Sequence, residues 1–308
     1  MNKGKRKNFF IVGLSIVLVI LIFFLLTIKS NKLPSYNSQK SVGKQAEYTV
    51  TGIEAGAGIM SETQRAIKKY GLNQAGNSWQ LQTSSTAVML SQLGKAMGNH
   101  QAIVITGWLP HWMFEKYNIK FLKDPKHVYG TSEHFSTLTK KGFKNDNTGA
   151  YQFLKNFSVS MNQIMPIVGK MHEGESTSKA ASRFVKEHPK QVSQWMNRVP
   201  NGNNQKISLA HVSLSYETFV TKMVANLLKA RGYKVSMRTL DPGIMWTSLA
   251  TKSVDATVTG ELPITHGSYY RKYKEDVDLV RTSLKGTKLG LAVPKYMKNV
   301  KSINDLKK

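Results

Sequence analysis

The sequence of 308 residues contains no cysteine. This absence excludes disulfide bonds, thiolate metal ligands and a cysteine nucleophile. It also excludes attachment to a membrane through a lipidated N-terminal cysteine. Any attachment to a membrane therefore has to come from another feature of the chain.

Acidic residues are also few, with 18 Asp and Glu against 44 Lys and Arg, a formal net charge of +26. Residues 1–45 hold 8 of the basic residues and none of the acidic ones, which leaves 36 basic against 18 acidic residues. The charges are scattered, and no run combines clustered arginines with interleaved aromatic residues, as nucleic-acid grooves do. We therefore predict no nucleic-acid partner, and a solvated basic surface that faces anionic headgroups and wall polymers.

Motifs of enzymes and of metal sites are missing as well. The eight histidines include no His-Glu-x-x-His spacing, and no Gly-x-Ser-x-Gly nucleophile turn is present. Gly56 and Gly58 form a Gly-x-Gly pair without a P-loop lysine or a downstream ribose-binding acid. The sequence thus predicts a protein that is not an enzyme, with no catalytic residues, no metal and no cofactor.

An uninterrupted apolar run extends from Phe9 to Ile28, after four basic residues. At ~1.5 Å per helical residue, this run is long enough to cross a bilayer core of about 30 Å. No Ala-x-Ala cleavage pattern follows it, so we predict an uncleaved single-pass anchor, with a cleaved signal peptide as the alternative. Residues 1–45 would form a cytoplasmic basic tip, the anchor (about 9–28) and a polar tether, with the remaining chain outside the cell membrane.

Two segments of the chain have the same alternation of strands and helices. The first unit has a glycine loop after its first strand and a first helix that ends at Gly71, and a serine at 84 or 85 caps its second helix. Both units predict a β-α-β-α-β pattern with parallel strands and right-handed crossovers. The predicted elements are strands 48–53, 79–82 and 102–105 with helices 59–70 and 85–97, and strands 207–212, 233–239 and 255–258 with helices 217–231 and 243–251.

Four loops follow these strands and are candidates for a binding site. They span residues 54–59, 106–112, 213–217 and 259–266. Open α/β sheets bind ligands at the carboxyl ends of their strands. If the two units form facing lobes, all four loops meet in one cleft. Helical segments within residues 149–199 lie between the two units in the sequence.

Several motifs in this order resemble the glycine betaine-binding proteins of osmoprotectant ABC importers. The similarity extends from about residue 47 to the end of the chain. The motifs are Gly-Trp-Leu-Pro-His-Trp-Met-Phe from Gly107, Lys-Phe-Leu-Lys-Asp-Pro-Lys from Lys120, Gly-Ala-Gly-Ile-Met from Gly56, Met-Trp-Thr from Met245, Leu-Pro-Ile-Thr-His from Leu262 and the C-terminal run from Val293 to Lys307.

This resemblance implies a fold and a domain organisation. The expected fold class is α/β, a two-lobed type II periplasmic-binding-protein-like fold with two parallel-type sheets flanked by helices and a permuted lobe order. The first ligand-binding lobe would comprise residues 46–140, with the C-terminal tail, about 295–308, packed on it. The second lobe would comprise residues 141–294 and include the helical segments 149–199.

The resemblance also implies a ligand site. The family uses a box of three tryptophans for a quaternary ammonium group, and two backbone amides with a histidine for a carboxylate. Aromatic faces suit such a cation because it has no hydrogen to donate. The matching positions in this chain are Trp108 for one tryptophan, Gly58 and Ile59 for the amides, and His266 for the histidine.

Two of the three box tryptophans are replaced in this chain, by Leu214 and Glu261. A site with one ring in place of three would lose about 1 to 4 kcal/mol of cation–π attraction. We hypothesise that Glu261 supplies Coulombic attraction instead and that Tyr216 forms a partial wall. The alternatives are that Glu261 is a solvent-facing loop carboxylate and that Leu214 is a core residue.

The function implied is that of an extracytoplasmic solute-binding protein of an ABC importer. It would capture a glycine betaine-like quaternary ammonium, choline or a related cation between the lobes. Its partners would be the solute, a membrane permease with its ATPase, and the membrane itself through the N-terminal helix. The alternative is a diverged paralogue without a transport role, which acts as a sensor or as a surface-binding accessory protein.

Overall fold

The computed structural model of the chain describes residues 34–74, 76, 78–131 and 133–307. The predicted anchor, residues 9–28, and the basic tip before it lie outside the described residues. Within the described ranges, no helix has both the length and the apolar character that crossing a bilayer requires.

The described chain is mixed α/β, as the strand–helix alternation of the sequence predicts. The strands are β1 (Thr49–Thr51), β2 (Gln80–Gln82), β3 (Val104–Leu109), β4 (Ile119–Phe121), β5 (Glu133–Lys140), β6 (Lys206–His211), β7 (Lys234–Thr239), β8 (Ala256–Leu262) and β9 (Val277–Pro294). The helices are α1 (Val42–Gln45), α2 (Gly58–Tyr70), α3 (Thr86–Asn99), α4 (Met113–Lys116), α5 (Phe143–Asp146), α6 (Thr148–Asn156), α7 (Met161–His172), α8 (Thr177–Glu187), α9 (Pro189–Trp195), α10 (Ser215–Ala230), α11 (Pro242–Ala250) and α12 (Gly267–Tyr273). A 3₁₀ helix, Ile303–Lys307, follows them.

Both predicted β-α-β-α-β units are confirmed. In the first unit, β1 lies between β2 and β3 and pairs with each of them in parallel. In the second unit, β6 lies between β7 and β8 and again pairs with each in parallel. The loops that follow the parallel strands therefore lie at the carboxyl edge of each group, where open sheets bind ligands.

Antiparallel strands join the two parallel groups, and the sequence did not predict them. The strand order is β2-β1-β3-β9-β5-β8-β6-β7, with β4 also paired to β9. The C-terminal part of β9 pairs with β3, and its N-terminal part pairs with β5, both in antiparallel orientation. The 18-residue strand β9 is thus shared by both groups of strands.

The ends of the helices follow local sequence signals. Helix α2 ends at Gly71, which adopts the left-handed conformation at φ 65°, where a residue with a Cβ would be strained. Helix α3 begins after Ser85, whose hydroxyl accepts a hydrogen bond from the Val88 amide over 3.2 Å. Within residues 149–199, where the sequence predicts helical segments, residues 177–195 form two helices, α8 and α9. The break falls before Pro189, which has no amide hydrogen and starts α9.

The C-terminal tail returns to the N-terminal part of the fold. The indole Nε1 of Trp79 donates a hydrogen bond to the Leu306 carbonyl oxygen over 2.9 Å, and both side chains are buried. The 3₁₀ helix also contacts α1. This contact joins the two ends of the described chain and supports the expected position of the tail.

Candidate functional site

The start of helix α2 lies against the loop that follows β8. A Cβ atom added to Gly58 would lie 3.0 Å from the carbonyl oxygen of Thr265 and 3.2 Å from its Cα. Gly58 and Thr265 belong to loops of the two different β-α-β-α-β units. Two of the four loops predicted to meet therefore do so, at a position where glycine allows the backbones to approach closely.

The amide groups of Gly58 and Ile59 open helix α2, which begins after Ala57. The first amide groups of a helix have no acceptor within the helix, and they carry the positive end of its dipole. Ile59 is buried at 4% exposure. The two amides predicted to hold a carboxylate are thus oriented by a helix start that adjoins the loop of Thr265.

Trp108 lies near the end of β3 and is 6% exposed. Its ring meets the ring of His111 edge to face, with the centroids 4.6 Å apart. The indole Nε1 is buried and has no hydrogen-bond partner among the described residues. Burial lowers the pKa of His111 to about 4, so this imidazole is neutral, and its Nδ1 accepts a hydrogen bond from the Met113 amide.

Trp112 extends this aromatic series to helix α7. Its ring stacks on the imidazole of His172 at the end of α7, with centroids 3.4 Å apart and planes within 6°. The ammonium group of Lys116 lies 3.3 Å from His172 Nε2. The loop after β3, which carries Trp112, thereby contacts the helical segment between the two units.

Glu261 is held by the first turn of helix α10. The hydroxyl group of Tyr216 donates a hydrogen bond to Glu261 Oε1 over 2.9 Å. Tyr216 is 1% exposed, and its ring stacks on Phe135 with centroids 5.4 Å apart. Glu261 is partly buried, and burial raises the pKa of its carboxyl group to about 7. The Tyr216 hydroxyl therefore orients the Glu261 carboxyl group.

His266 is fixed by the same loop. Its Nδ1 accepts a hydrogen bond from the backbone amide of Glu261 over 3.0 Å. Burial lowers the pKa of His266 to about 4, so the ring is neutral at pH 7. Because Nδ1 is the acceptor, the single ring proton lies on Nε2. His266 can therefore donate a hydrogen bond from Nε2 to an oxygen atom of a ligand.

Leu214 is the residue immediately before helix α10. It is partly exposed and packs against the hydrophobic core. Its side chain does not replace a tryptophan face, since leucine has no π-system to attract a cation. The contact with the core agrees with the alternative that Leu214 is a packing residue.

Two further carboxylic residues lie close to Glu261 and were not predicted from the sequence. Glu217 Oε2 accepts hydrogen bonds from the Val212 amide over 2.9 Å and from the Thr259 hydroxyl over 2.7 Å. Glu133 accepts one hydrogen bond from the Ile264 amide and one from the Thr265 amide, each over 3.0 Å. Both side chains are buried.

Within the part of the chain that the structure describes, none of these three carboxyl groups has a basic partner. None of the ion pairs formed by the described residues includes Glu133, Glu217 or Glu261. Each of the three has a pKa raised by burial, and in Glu217 and Glu261 a neighbouring carboxyl raises it further. The region around Tyr216 therefore favours a positive charge that the described chain does not supply.

The structure connects most of the predicted site residues through direct contacts. Tyr216, Glu261 and His266 form one hydrogen-bonded group, and Thr265 of the same loop touches Gly58. Trp108 instead contacts His111, whose ring adjoins the stacked pair of Trp112 and His172. The sequence signal that could have revealed Glu133 and Glu217 is weak, because an acid at a strand or helix start is common.

Comparisons with known proteins place the chain among the substrate-binding proteins of ABC importers. The chain belongs to the family described as the substrate binding domain of ABC-type glycine betaine transport systems, OpuAC, whose family model matches residues 31–187 and 205–308. Proteins of this family bind a solute for transport and are not enzymes. The resemblance seen in the sequence is thereby confirmed.

Several individual proteins are similar to this chain. The chain is 44% identical over 291 residues to the glycine betaine/carnitine transport binding protein GbuC of Listeria monocytogenes. The aligned region covers 94% of this chain and 96% of GbuC. Lactococcal OpuAC in complex with glycine betaine is 36% identical, with a TM-score of 0.46 over 55% of this chain and 64% of that one. The glycine/betaine/L-proline-binding protein ProX of Borrelia burgdorferi is 28% identical, with a TM-score of 0.44 over 55% of this chain and 63% of that one.

Proposed function

We propose that the chain is the extracytoplasmic solute-binding protein of an ABC importer and that it delivers a small cationic solute to a membrane permease and its ATPase. The family supports the transport role, and the Listeria relative, a glycine betaine/carnitine transport binding protein, supports a solute that carries a quaternary ammonium group. The N-terminal apolar run, residues 9–28, would anchor the protein to the cell membrane.

The two groups of strands would act as two lobes of a type II periplasmic-binding-protein-like fold. Residues 46–140 with the tail 295–308 would form one lobe, and residues 141–294 the other. The proposal is supported by the strands β5 and β9, which cross between the groups, and by the contact of Gly58 with Thr265. Hinged lobes of this kind close on a ligand, and the ligand shifts the population towards the closed state.

The oxygen-bearing end of the solute would bind at the start of helix α2. The amides of Gly58 and Ile59 and the Nε2–H of His266 supply three neutral donors, which suit a carboxylate or a hydroxyl oxygen. All three residues match the family positions for this role. The tautomer of His266, fixed by the amide of Glu261, supports its use as a donor.

The cationic end would lie beside Trp108 and Glu261. Trp108 keeps one of the three aromatic walls, and Leu214 and Glu261 occupy the positions of the other two. Tyr216 would support Glu261 from behind rather than line the cleft, because its hydroxyl and its ring are already engaged. The change from π faces to a carboxylate favours Coulombic recognition, which depends on net charge.

The observation that carries this proposal is the carboxyl group of Glu261, which Tyr216 orients and which has no basic partner among the described residues. A zwitterion such as glycine betaine gains little from it, since its own carboxylate adds a further negative charge. A net cation such as choline, or a small amine, gains the full attraction. We therefore infer that specificity has shifted from zwitterionic betaines towards net cations.

A thermal-shift screen of the purified extracytoplasmic part tests this function. Choline, glycine betaine, carnitine, proline and a polyamine are compared at equal concentration, and choline should give a larger shift than glycine betaine. Binding stabilises the folded protein according to its affinity, so the order of shifts reports the order of affinities. Trp108→Ala should abolish the shift, while Trp246→Phe, a substitution in a buried packing residue, should lower the melting temperature and leave the shift in place.

A further inference from the structure

Glu217 is completely buried, yet only one of its two carboxyl oxygens is used. Oε2 accepts the hydrogen bonds of Val212 and Thr259, whereas Oε1 has no partner among the described residues. An ionised carboxylate with a bare oxygen in an apolar interior is costly to maintain. A neutral carboxylic acid fits the same geometry, with Oε2 as the carbonyl oxygen and the proton on Oε1.

Glu261 has different surroundings. It keeps some exposed surface, and the hydroxyl of Tyr216 donates to its Oε1, which stabilises the ionised form. Its position on β8, two residues after Thr259, brings it within electrostatic reach of Glu217. Of the two carboxyls, Glu261 is therefore the one that can ionise when a positive charge arrives.

The groups that face this pair are all acidic or neutral. Helix α10 contributes Tyr216, strand β5 contributes Glu133, and the loop after β8 contributes His266, which burial keeps neutral. Neither Lys nor Arg is among the groups that shift the pKa of Glu217 or Glu261. The pair thus depends on protons, or on a ligand, for its neutralisation.

We propose that Glu217 is a permanently neutral carboxylic acid and that Glu261 is the proton-exchanging group of the binding site, which releases one proton when a cationic solute binds. The protonated carboxyl group of Glu261 loses its proton to solvent, and the bound cation then neutralises the negative charge of the Glu261 carboxylate. No other bond forms or breaks. The proton release by Glu261 rests on the proposed function, whereas the neutral state of Glu217 concerns the empty protein alone.

The pKa shifts agree with this division. Burial raises the pKa of Glu217 well above its usual range, and the neighbouring Glu261 raises it further. Burial raises the pKa of Glu261 to about 7. At pH 6 most Glu261 would be protonated, and a solute would bind about tenfold more weakly than at pH 8.5, since one unit of pH below a pKa corresponds to a factor of about ten.

Infrared spectroscopy of the empty protein tests the neutral acid. The C=O stretch of a carboxylic acid is separate from the carboxylate bands, so a signal at pH 8.5 reports Glu217. This signal should disappear in Glu217→Gln and persist in the control Glu275→Gln, which changes a side chain 86% exposed. A second acid signal should grow between pH 8.5 and pH 6 and be absent from Glu261→Gln. If the wild-type protein has no acid signal at pH 8.5, the assignment of Glu217 is wrong, whether or not the variants fold.

Calorimetry with choline tests the exchange. At pH 6, titrations in two buffers of different ionisation enthalpy should show release of close to one proton per choline bound, and at pH 8.5 close to none. Glu261→Gln should abolish the release, and Glu275→Gln should leave it unchanged. Choline binding without proton release at pH 6 would overturn the exchange. An absence of choline binding with both acid signals intact would instead contradict the proposed solute and support the protonation states, so the two failures are distinguishable.

Discussion

The hydroxyl group of Tyr216 lies 2.9 Å from Glu261 Oε1 and donates a hydrogen bond to it. This bond links helix α10 to the end of strand β8 and orients the carboxyl group that we propose for the cationic end of the site. A carboxylate that accepts a hydrogen bond from a buried donor is held in one orientation and is stabilised as an anion. The cation preference of the site should therefore depend on Tyr216 as well as on Glu261.

Tyr216→Phe tests this dependence. The substitution removes the hydroxyl and keeps the ring stacked on Phe135, so the fold should be retained. Choline affinity at pH 7.5 should fall by about tenfold, because a hydrogen bond to a charged group contributes roughly 1.5 to 3 kcal/mol and part of it is replaced by water. Tyr151→Phe on helix α6 is the matched control and should bind as the wild type does. An unchanged affinity in Tyr216→Phe would show that the hydroxyl does not support the site.

The stability of the empty protein should depend on pH through Glu261. Burial raises the pKa of Glu261 in the folded protein to about 7, above the unfolded value of about 4.3. The contribution of Glu261 to the free energy of unfolding is therefore complete below about pH 4.3, and it is lost as the pH rises through about 7. Glu261→Gln should remove this loss, which amounts to at most about 4 kcal/mol.

Urea denaturation between pH 5 and pH 8.5 measures this effect. The difference in the free energy of unfolding between Glu261→Gln and the wild type should change in favour of the variant as the pH rises. A comparison with the wild type cancels the opposite contribution of His266, whose lowered pKa stabilises the folded state above about pH 6.5. A difference that stays constant across the range would contradict the raised pKa.

Gly58→Ala tests the close approach of the two loops. The added Cβ would lie 3.0 Å from the Thr265 carbonyl oxygen, and backbone atoms on that side cannot move away as a flexible side chain can. Solute affinity should fall by about tenfold, and the free energy of unfolding should fall as well, because the added Cβ strains the same contact in the empty protein. Gly56→Ala, where a Cβ would meet no atom within 4 Å, is the control. Equal affinities for the two variants would mean that the contact has no part in binding.

The stack of Trp112 on His172 should contribute to the closed state. His172→Ala removes the ring that lies 3.4 Å from Trp112, and the dissociation rate of the solute should increase by about two- to tenfold, since an aromatic pair contributes about 0.5 to 1.5 kcal/mol. His188→Ala, which removes a histidine ring that stacks on Phe184 away from this contact, is the control. Stopped-flow fluorescence would measure the dissociation rate. An identical rate in the wild type and in His172→Ala would show that the stack does not slow dissociation of the solute.

Much of the fold was predictable because its signals are local. The helix that ends at Gly71 and the one that begins after Ser85 carry their caps in the sequence, and the parallel strands are short apolar runs between helices. Strand β9 was missed because its middle contains Lys285, Gly286 and Lys288. Its extended form is imposed by pairing with β3 and β5, which are distant in the sequence.

The candidate site was predictable only where the family motif survives. The family resemblance predicts Trp108, Gly58 and His266 as site residues and predicts Glu261 as a departure from the motif. Glu217 gave no such signal, since an acid in the first turn of a helix is ordinary. Its burial beneath Glu261 depends on the packing of α10 against β8, which no local pattern shows.

The most direct test of the account is the affinity of glycine betaine for the wild type and for Glu261→Trp, measured by calorimetry. We predict that the wild type binds glycine betaine weakly, with lower affinity than choline. Glu261→Trp, which adds an aromatic face, should bind glycine betaine roughly ten- to a hundredfold more tightly than the wild type. Choline should lose its advantage in the same variant. Sub-micromolar binding of glycine betaine by the wild type, with no gain in Glu261→Trp, would contradict the account.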